Sequence, residues 1–137
     1  MNIAQLHAIF LDSNSVSTDT RKVRDNDLFF ALKGDSFNGN KFAKYAIEKG
    51  ARYAVIDEET YNIDDTFILV DNVLETLQEL ATYHRNYLGL KIIALTGSNG
   101  KTTTKELINA VLTTKYKTTA TVGNLNNHIG VPLTLLS

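Results

Sequence analysis

The chain has 137 residues, 43% hydrophobic and 21% charged, with a formal net charge of −1. That is enough for one ordinary globular domain or two small ones, and it excludes a disordered or fibrous chain. The near-neutral balance excludes a broad nucleic-acid-binding face, so any anion must be held by local geometry.

Other whole-chain features add to this. With no cysteine there is no disulfide and no thiolate metal site, which fits a cytoplasmic setting. The opening "MNIAQLHAIFLDSNS" has no basic stretch or small-residue cleavage site and is not read as a signal peptide. No apolar run approaches the roughly 18–20 residues of a membrane span.

In chain order, Ile3, Leu6, Ile9 and Phe10 have helical spacing over residues 2–11. "SVSTDTRKV" then alternates β-branched and polar residues, and "DLFFALKG" contains an apolar run over 28–32, as in a strand covered on both faces. "NKFAKYAIEKG" puts Phe42, Ala43, Ala46 and Ile47 on one helical face, with Gly50 where a C-terminal cap belongs. "RYAVID" and "TFILV" read as short buried strands, and "IDEETYNIDD" between them as a solvated loop. The longest helix is predicted over residues 71–88, where Val73, Leu77, Leu80, His84 and Tyr87 recur three and four apart. His84 reads as a boundary histidine on that apolar face. It shares no metal-ligand spacing with His7 or His128.

Beyond a seam near residues 88–91 come "LKIIALT" as strand, "KTTTKELINAVLTT" as helix, "KYKTTATV" as strand, and "VPLTLLS" as the first turns of another helix, with no internal repeat along the chain. Strands and helices in alternation predict an α/β fold with mostly parallel pairing. The expected division is residues 1–89 and 90–137. Open parallel sheets have about 4–6 strands, so two strands leave the second unit unfinished. The chain is expected to be the front of a longer protein.

The stretch "ALTGSNGKTTTKE" carries most of the chemistry. Asn-Gly favours a type I′ hairpin turn between two strands, but Leu107, Ile108, Val111 and Leu112 follow at helical spacing. A strand–loop–helix is therefore expected. Glycine-rich turns of that kind also occur without a ligand, and Lys101 argues against the empty version. A cation at a helix N-terminus faces the positive end of the macrodipole, at a cost of about 0.3–1 kcal/mol unless an anion is present. A phosphate supplies that anion. The amides of Gly97, Ser98, Asn99, Gly100 and Lys101 can cradle its oxygens, and the lysine adds charge-assisted bonds of roughly 1.5–3 kcal/mol each. The Thr102 hydroxyl is placed to ligate Mg²⁺.

The usual loop is G-x-x-x-x-G-K-[ST], but its first glycine is Leu95 here, leaving the shorter Gly97-x-x-Gly100-Lys101-Thr102. This form resembles the loop of the Mur ligases and folylpolyglutamate synthetases. The blocks "DTRK", "LFFALKG", "FNGNKF" and "AIEKGA", in that order, resemble the N-terminal, UDP-recognising domain of one branch of the Mur ligase family. Those ligases add D-Ala-D-Ala to UDP-MurNAc-tripeptide. "TVGNLNNHIGVPLTLL" resembles the stretch after the second strand of that family's ATPase domain. The likeness covers essentially the whole chain.

The resemblance implies an ATP-dependent amide ligase with ATP and Mg²⁺ as cofactors, monomeric in full-length form. The tripeptide carboxylate would attack the γ-phosphate to give an acyl phosphate, which the amine of D-Ala-D-Ala displaces. It implies nucleotide contacts from residues 97–103, Thr103 included, with Lys101 and Thr102 catalytic. Asn124, Asn126 and Asn127 would touch nucleotide or substrate, although asparagines there can simply shape a turn. Ser17, Asp19, Thr20, Arg21, Asn38, Gly39 and Asn40 would form the uridine-diphosphate surface. Alternatively, Asp19 and Arg21 make only a surface ion pair of about 0–1 kcal/mol, and "FNGN" only a turn. The family's Asp-Gly-His is Asn38-Gly39-Asn40 here, so the charge is gone while hydrogen-bonding capacity stays. The family's later metal ligands, carbamylated lysine and amine-binding domain lie outside these residues, so the 137-residue chain alone is expected to be inactive. Another Mur-type or folyl ligase, or a non-catalytic UDP- or nucleotide-binding module, are the competing readings.

Overall fold

The structure is a computed structural model and describes residues 1–137 except Asn124. Helix α1 (Ile3–Leu11) opens with a reciprocal cap: the Asn2 side chain accepts from Gln5 N, and the Gln5 side chain accepts from Asn2 N. Four short strands follow, interrupted by a hairpin: β1 (Val16–Ser17), β2 (Leu28–Phe30), the hairpin β3 (Lys33–Gly34) and β4 (Phe37–Asn38), then β5 (Tyr53–Ile56) and β6 (Phe67–Leu69). Strands β1, β2, β5 and β6 form one parallel sheet in that spatial order, with Ser17 opposite Phe29, Phe29 opposite Ala54 and Val55 opposite Ile68.

Both faces of the sheet are covered, as the continuous apolar run of β2 predicts. Alternation along each strand sends Leu28, Phe30, Val55 and Ile68 to one face. They meet Leu6 and Phe10 of α1 and Val73, Leu77 and Leu80 of α3 (Val73–Leu88). Phe29, Ala54, Ile56 and Phe67 face the other way, against Ala43 and Ala46 of α2 (Ala43–Glu48). Small alanines on α2 let that short helix lie close to the sheet. Burying each large aliphatic side chain on α3 contributes about 1.5–3 kcal/mol. Asn72 caps α3, accepting from Leu74 N at 2.9 Å and Glu75 N at 3.1 Å, and Gly89 ends it at φ +62°.

The second part is organised differently. Helix α4 (Lys101–Leu112) buries none of its residues, while α5 (Gly130–Leu135) packs on α3 and Leu136 joins the first core. Two expectations fail here. The stretches "LKIIALT" and "KYKTTATV" pair into no ladder, and Ile92, Ile93 and Leu95 are exposed. Apolar composition suits a buried parallel strand, but a strand exists only where neighbouring N–H and C=O groups complete it, and no described strand lies alongside. Tyr87, predicted on the buried face of α3, is also exposed, because it lies in the last turn, beyond the sheet that covers the earlier turns.

Candidate functional sites

The first candidate lies at the carboxyl ends of the parallel strands, where open α/β sheets receive ligands. Ser17 ends β1 and is buried. Its hydroxyl is the one buried side-chain polar atom without a partner among the described residues, an arrangement that normally calls for an explanation. Asp19 and Arg21 follow on the exposed turn. Arg21 Nε donates to Asp19 Oδ1 at 2.9 Å and Nη2 to Oδ2 at 2.7 Å. These side-chain bonds, with the one from Arg21 N, hold the Asp19 carboxyl down at about 2. The fork of Arg21 is thus turned onto its neighbour, and Thr20 sits half-buried between the two.

On the adjacent strand, β2 leads into the hairpin and the turn Asn38-Gly39-Asn40. Gly39 lies so close under β2 that a Cβ there would stand 2.4 Å from Leu32 O, and its N–H donates to that oxygen at 2.9 Å. Only glycine fits. Asn38 accepts from the Asn40 backbone at 3.0 Å, and Asn40 is fully buried. Asn40 therefore does not present its amide outward as the resemblance implies. It is spent inside the turn.

Its partner was not legible as a functional residue. Asp57, within the stretch read as a solvated loop, has a side chain only 6% exposed. Its carboxylate accepts from Lys33 Nζ at 3.0 Å (a salt bridge), Asn40 Nδ2 at 2.9 Å and Val73 N at 3.3 Å. Burial pushes its pKa up, but the bonds from Lys33, Asn40 and Val73 outweigh burial and hold the carboxyl below its ordinary value. Lys33 is raised in turn, chiefly by its bond to Asp57. Lys33 and Asp57 are 24 positions apart in sequence, so no local spacing announces the pair.

The second candidate is the loop before α4. Residues 97–100 turn directly into the helix with Gly97 at φ +147° and Gly100 at φ +76°, conformations that favour glycine. This is a loop-to-helix turn, not a hairpin. No side chain caps α4, and its first internal bond runs from Thr104 N to Gly100 O at 2.9 Å. The amides of Lys101, Thr102 and Thr103 thus precede the ladder, pointing out of the helix start as an anion would require. Lys101 Nζ reaches back to Gly97 O, and the Thr102 and Thr103 side chains are exposed. Ser98 and Asn99 form the exposed bend of the loop. The donor set fits a polyphosphate: free amides, an ammonium, and a hydroxyl for a hard cation.

Lys105, one turn on, bonds Thr121 O and Gly123 O and pairs with Glu106 at 2.8 Å. It ties residues 121 and 123, which precede the asparagine segment, to α4. Within that segment Asn126 is exposed, whereas Asn127 Oδ1 accepts from Ile129 N and Gly130 N and so shapes the entry to α5. Asn124 lies outside the described residues.

A parallel α/β sheet with polar groups gathered at its strand ends, followed by a short glycine loop opening an uncapped helix, defines a nucleotide-handling α/β class. The family model for the Mur ligase family, catalytic domain, matches residues 12–85, and that for the Mur ligase middle domain matches residues 95–137. The chain belongs to the Mur ligase family.

Among curated relatives it is 47% identical over 126 residues to UDP-N-acetylmuramoyl-tripeptide–D-alanyl-D-alanine ligase of Bacillus subtilis (strain 168), covering 90% of this chain and 28% of that protein. It is 40% identical to the enzyme of that name from Escherichia coli (strain K12), covering 96% of this chain and 29% of the relative. Among solved structures it resembles MurF from Acinetobacter baumannii with a TM-score of 0.80 at 37% identity, covering 90% of this chain and 27% of that one. It also resembles the MurF ligase of Thermotoga maritima in complex with ADP, with a TM-score of 0.81 at 32% identity, covering 93% and 29%. The chain thus spans less than a third of the length of these relatives.

Proposed function

We propose that this chain is the substrate- and nucleotide-binding front of an ATP-dependent ligase that adds D-Ala-D-Ala to UDP-MurNAc-tripeptide in peptidoglycan precursor synthesis. Residues 1–89 form the UDP-substrate unit, and residues 90–137 begin the ATP-binding unit. The observation that carries the reading is the Gly97-x-x-Gly100-Lys101-Thr102 loop at the start of α4, with glycine conformations and uncapped amides suited to phosphate. Relatives bearing that ligase name align over most of the chain, and a structural neighbour holds ADP.

ATP with Mg²⁺ supplies, when bound, the phosphoryl group and the charge neutralisation that activate a carboxylate toward an amine. This chain's residues bind and orient. Two anions must approach each other, so positive charge at the transferred group is the main requirement. Lys101 supplies a full charge, the first-turn amides supply partial charges, and the Thr102 hydroxyl would hold the cation, with Thr103 beside it. At the strand ends, the Ser17 hydroxyl, the Asp19–Thr20–Arg21 turn and the Asn38–Gly39 edge would receive the uridine diphosphate. The enzyme works in the cytoplasm as a monomer in its full-length form.

The test is Lys101→Ala in the full-length enzyme. Turnover should fall by about 10²-fold or more, while affinity for the UDP-linked substrate changes less than about threefold, because that substrate is held at the other site. Equal losses in both would sink the assignment. The 137-residue chain by itself should release no phosphate in response to tripeptide substrate and D-Ala-D-Ala.

A further inference from the structure

The turn assigned to the uridine diphosphate is held by two acidic residues at the end of β5 that lie nearly twenty positions away. Asp57 joins three separate elements through one buried carboxylate: Lys33 of β3, Asn40 of the turn, and the first turn of α3 through Val73 N. Its own backbone N–H donates to Asn40 Oδ1 at 3.0 Å, so both ends of the Asn40 amide are fixed by one residue. Glu58 repeats the device one position on. It accepts from Asn38 Nδ2 at 3.0 Å and lies 3.5 Å from Lys33 Nζ. Gly39, between the two asparagines, is meanwhile pinned against Leu32 O. The turn is therefore braced from the sheet below and from the Asp57–Glu58 corner beside it.

The charges explain why asparagines suit this corner. Lys33 is shared by two carboxylates, so the three residues together carry a net −1. A third carboxylate at position 38 would face Glu58 with no cation left to separate them, whereas an amide can donate to it. Asn40 likewise presents both a donor and an acceptor to Asp57, which a neutral imidazole would have to meet with two ring nitrogens.

We propose that Asp57 is a positioning residue for the nucleoside-diphosphate-linked substrate: it contacts no substrate atom but sets the Asn38–Gly39–Asn40 edge in its binding conformation. The inference rests on the reading of that edge as the UDP surface. A bond network of this kind acts on binding and not on the transfer step, since the phosphate loop lies on the other unit.

The experiment uses the full-length ligase with Asp57→Ala, Asn40→Ala and the double variant, measuring kcat and the KM for each substrate. Asp57→Ala should raise the KM for the UDP-linked substrate by roughly 10- to 100-fold. The KM for ATP and kcat should stay within twofold. Because the two side chains share a bond and hold the same turn, the double variant should fall well short of the product of the two single losses. Asp57→Asn keeps an acceptor toward Asn40 at the same volume. It should raise that KM by less than Asp57→Ala does, and it carries the test should the alanine variant fail to fold. An unchanged KM for the UDP-linked substrate in a folded variant overturns the positioning role. So do equal losses in kcat and ATP KM, multiplied losses in the double variant, or failure of both Asp57 variants to fold. Wild-type turnover that needs no UDP-linked substrate would instead overturn the functional reading itself.

Discussion

The two halves of this chain start from similar sequence material and reach different degrees of closure. Up to α3, every strand lies in a ladder and each face of the sheet has helices on it. Between Gly89 and α5, apolar segments of comparable composition stay exposed, and α4 shows Leu107 at 64% exposure and Val111 at 69%. The lesson is that period and composition specify an amphipathic element, while burial needs a partner surface, and only the first half supplies one. The turn at the strand ends is braced by buried polar pairs, whereas the glycine loop before α4 rests on local backbone geometry in an open surround.

The sharpest way to break this contrast is by core truncation in the 137-residue chain. Leu80→Ala removes a fully buried side chain of α3 and should cost about 2–5 kcal/mol in urea unfolding. Leu107→Ala on α4 should change stability by less than about 0.5 kcal/mol. Comparable losses would mean that α4 has a covered face after all.

Helix ends give a smaller contrast. The Asn72 side-chain oxygen accepts from two amides of α3, so Asn72→Ala should cost about 1 kcal/mol. The start of α4 has no side-chain cap to lose. A cost near zero at Asn72 would show that packing on the sheet holds α3 without its cap.

The smallest effect concerns acid. His7 Nε2 and His84 Nδ1 lie 3.0 Å apart between α1 and α3, so one must donate and the other accept, and both cannot be protonated. The groups around them are Phe10 from α1 and Tyr83 and Tyr87 from α3, none of them a carboxylate. Burial lowers both histidines below 6.5, and for His84 the neighbouring His7 charge adds to it. The unfolded chain therefore binds protons near pH 6.5 that the folded chain does not. Stability should be complete above that pH and decline as pH falls toward the depressed folded values. His84→Gln should flatten the decline between pH 7 and 5. A wild-type chain equally stable at pH 7 and pH 5 would remove the pair from the account.

Much of the first half was legible in advance. The helix over 71–88 and the buried runs at 28–32, 52–57 and 66–70 follow from period and length, and the structure places α3, β2, β5 and β6 there. The loop-to-helix turn at 97–101 was legible too, because its glycines and the helical spacing that follows them act locally. Lys33, Asp57 and Glu58 were not. Charged residues in "LFFALKG" and "IDEETYNIDD" look like ordinary surface until the fold brings them together. His84 was placed on the right face, but its partner His7, 77 positions away, was invisible. The strands expected at 90–96 and 115–122 failed for the complementary reason: their apolar and β-branched residues suit strands, but no ladder completed them.

Sequence by itself determined the family, the order of helices and strands, and the loop whose glycines and lysine suit a phosphate, since each depends on residues a few positions apart. Only the tertiary structure decided which polar groups are buried, how the Asn38–Asn40 turn is braced, and which apolar segments find cover. Those outcomes depend on contacts between distant residues, and a buried charge or a paired strand is specified by its partner as much as by itself.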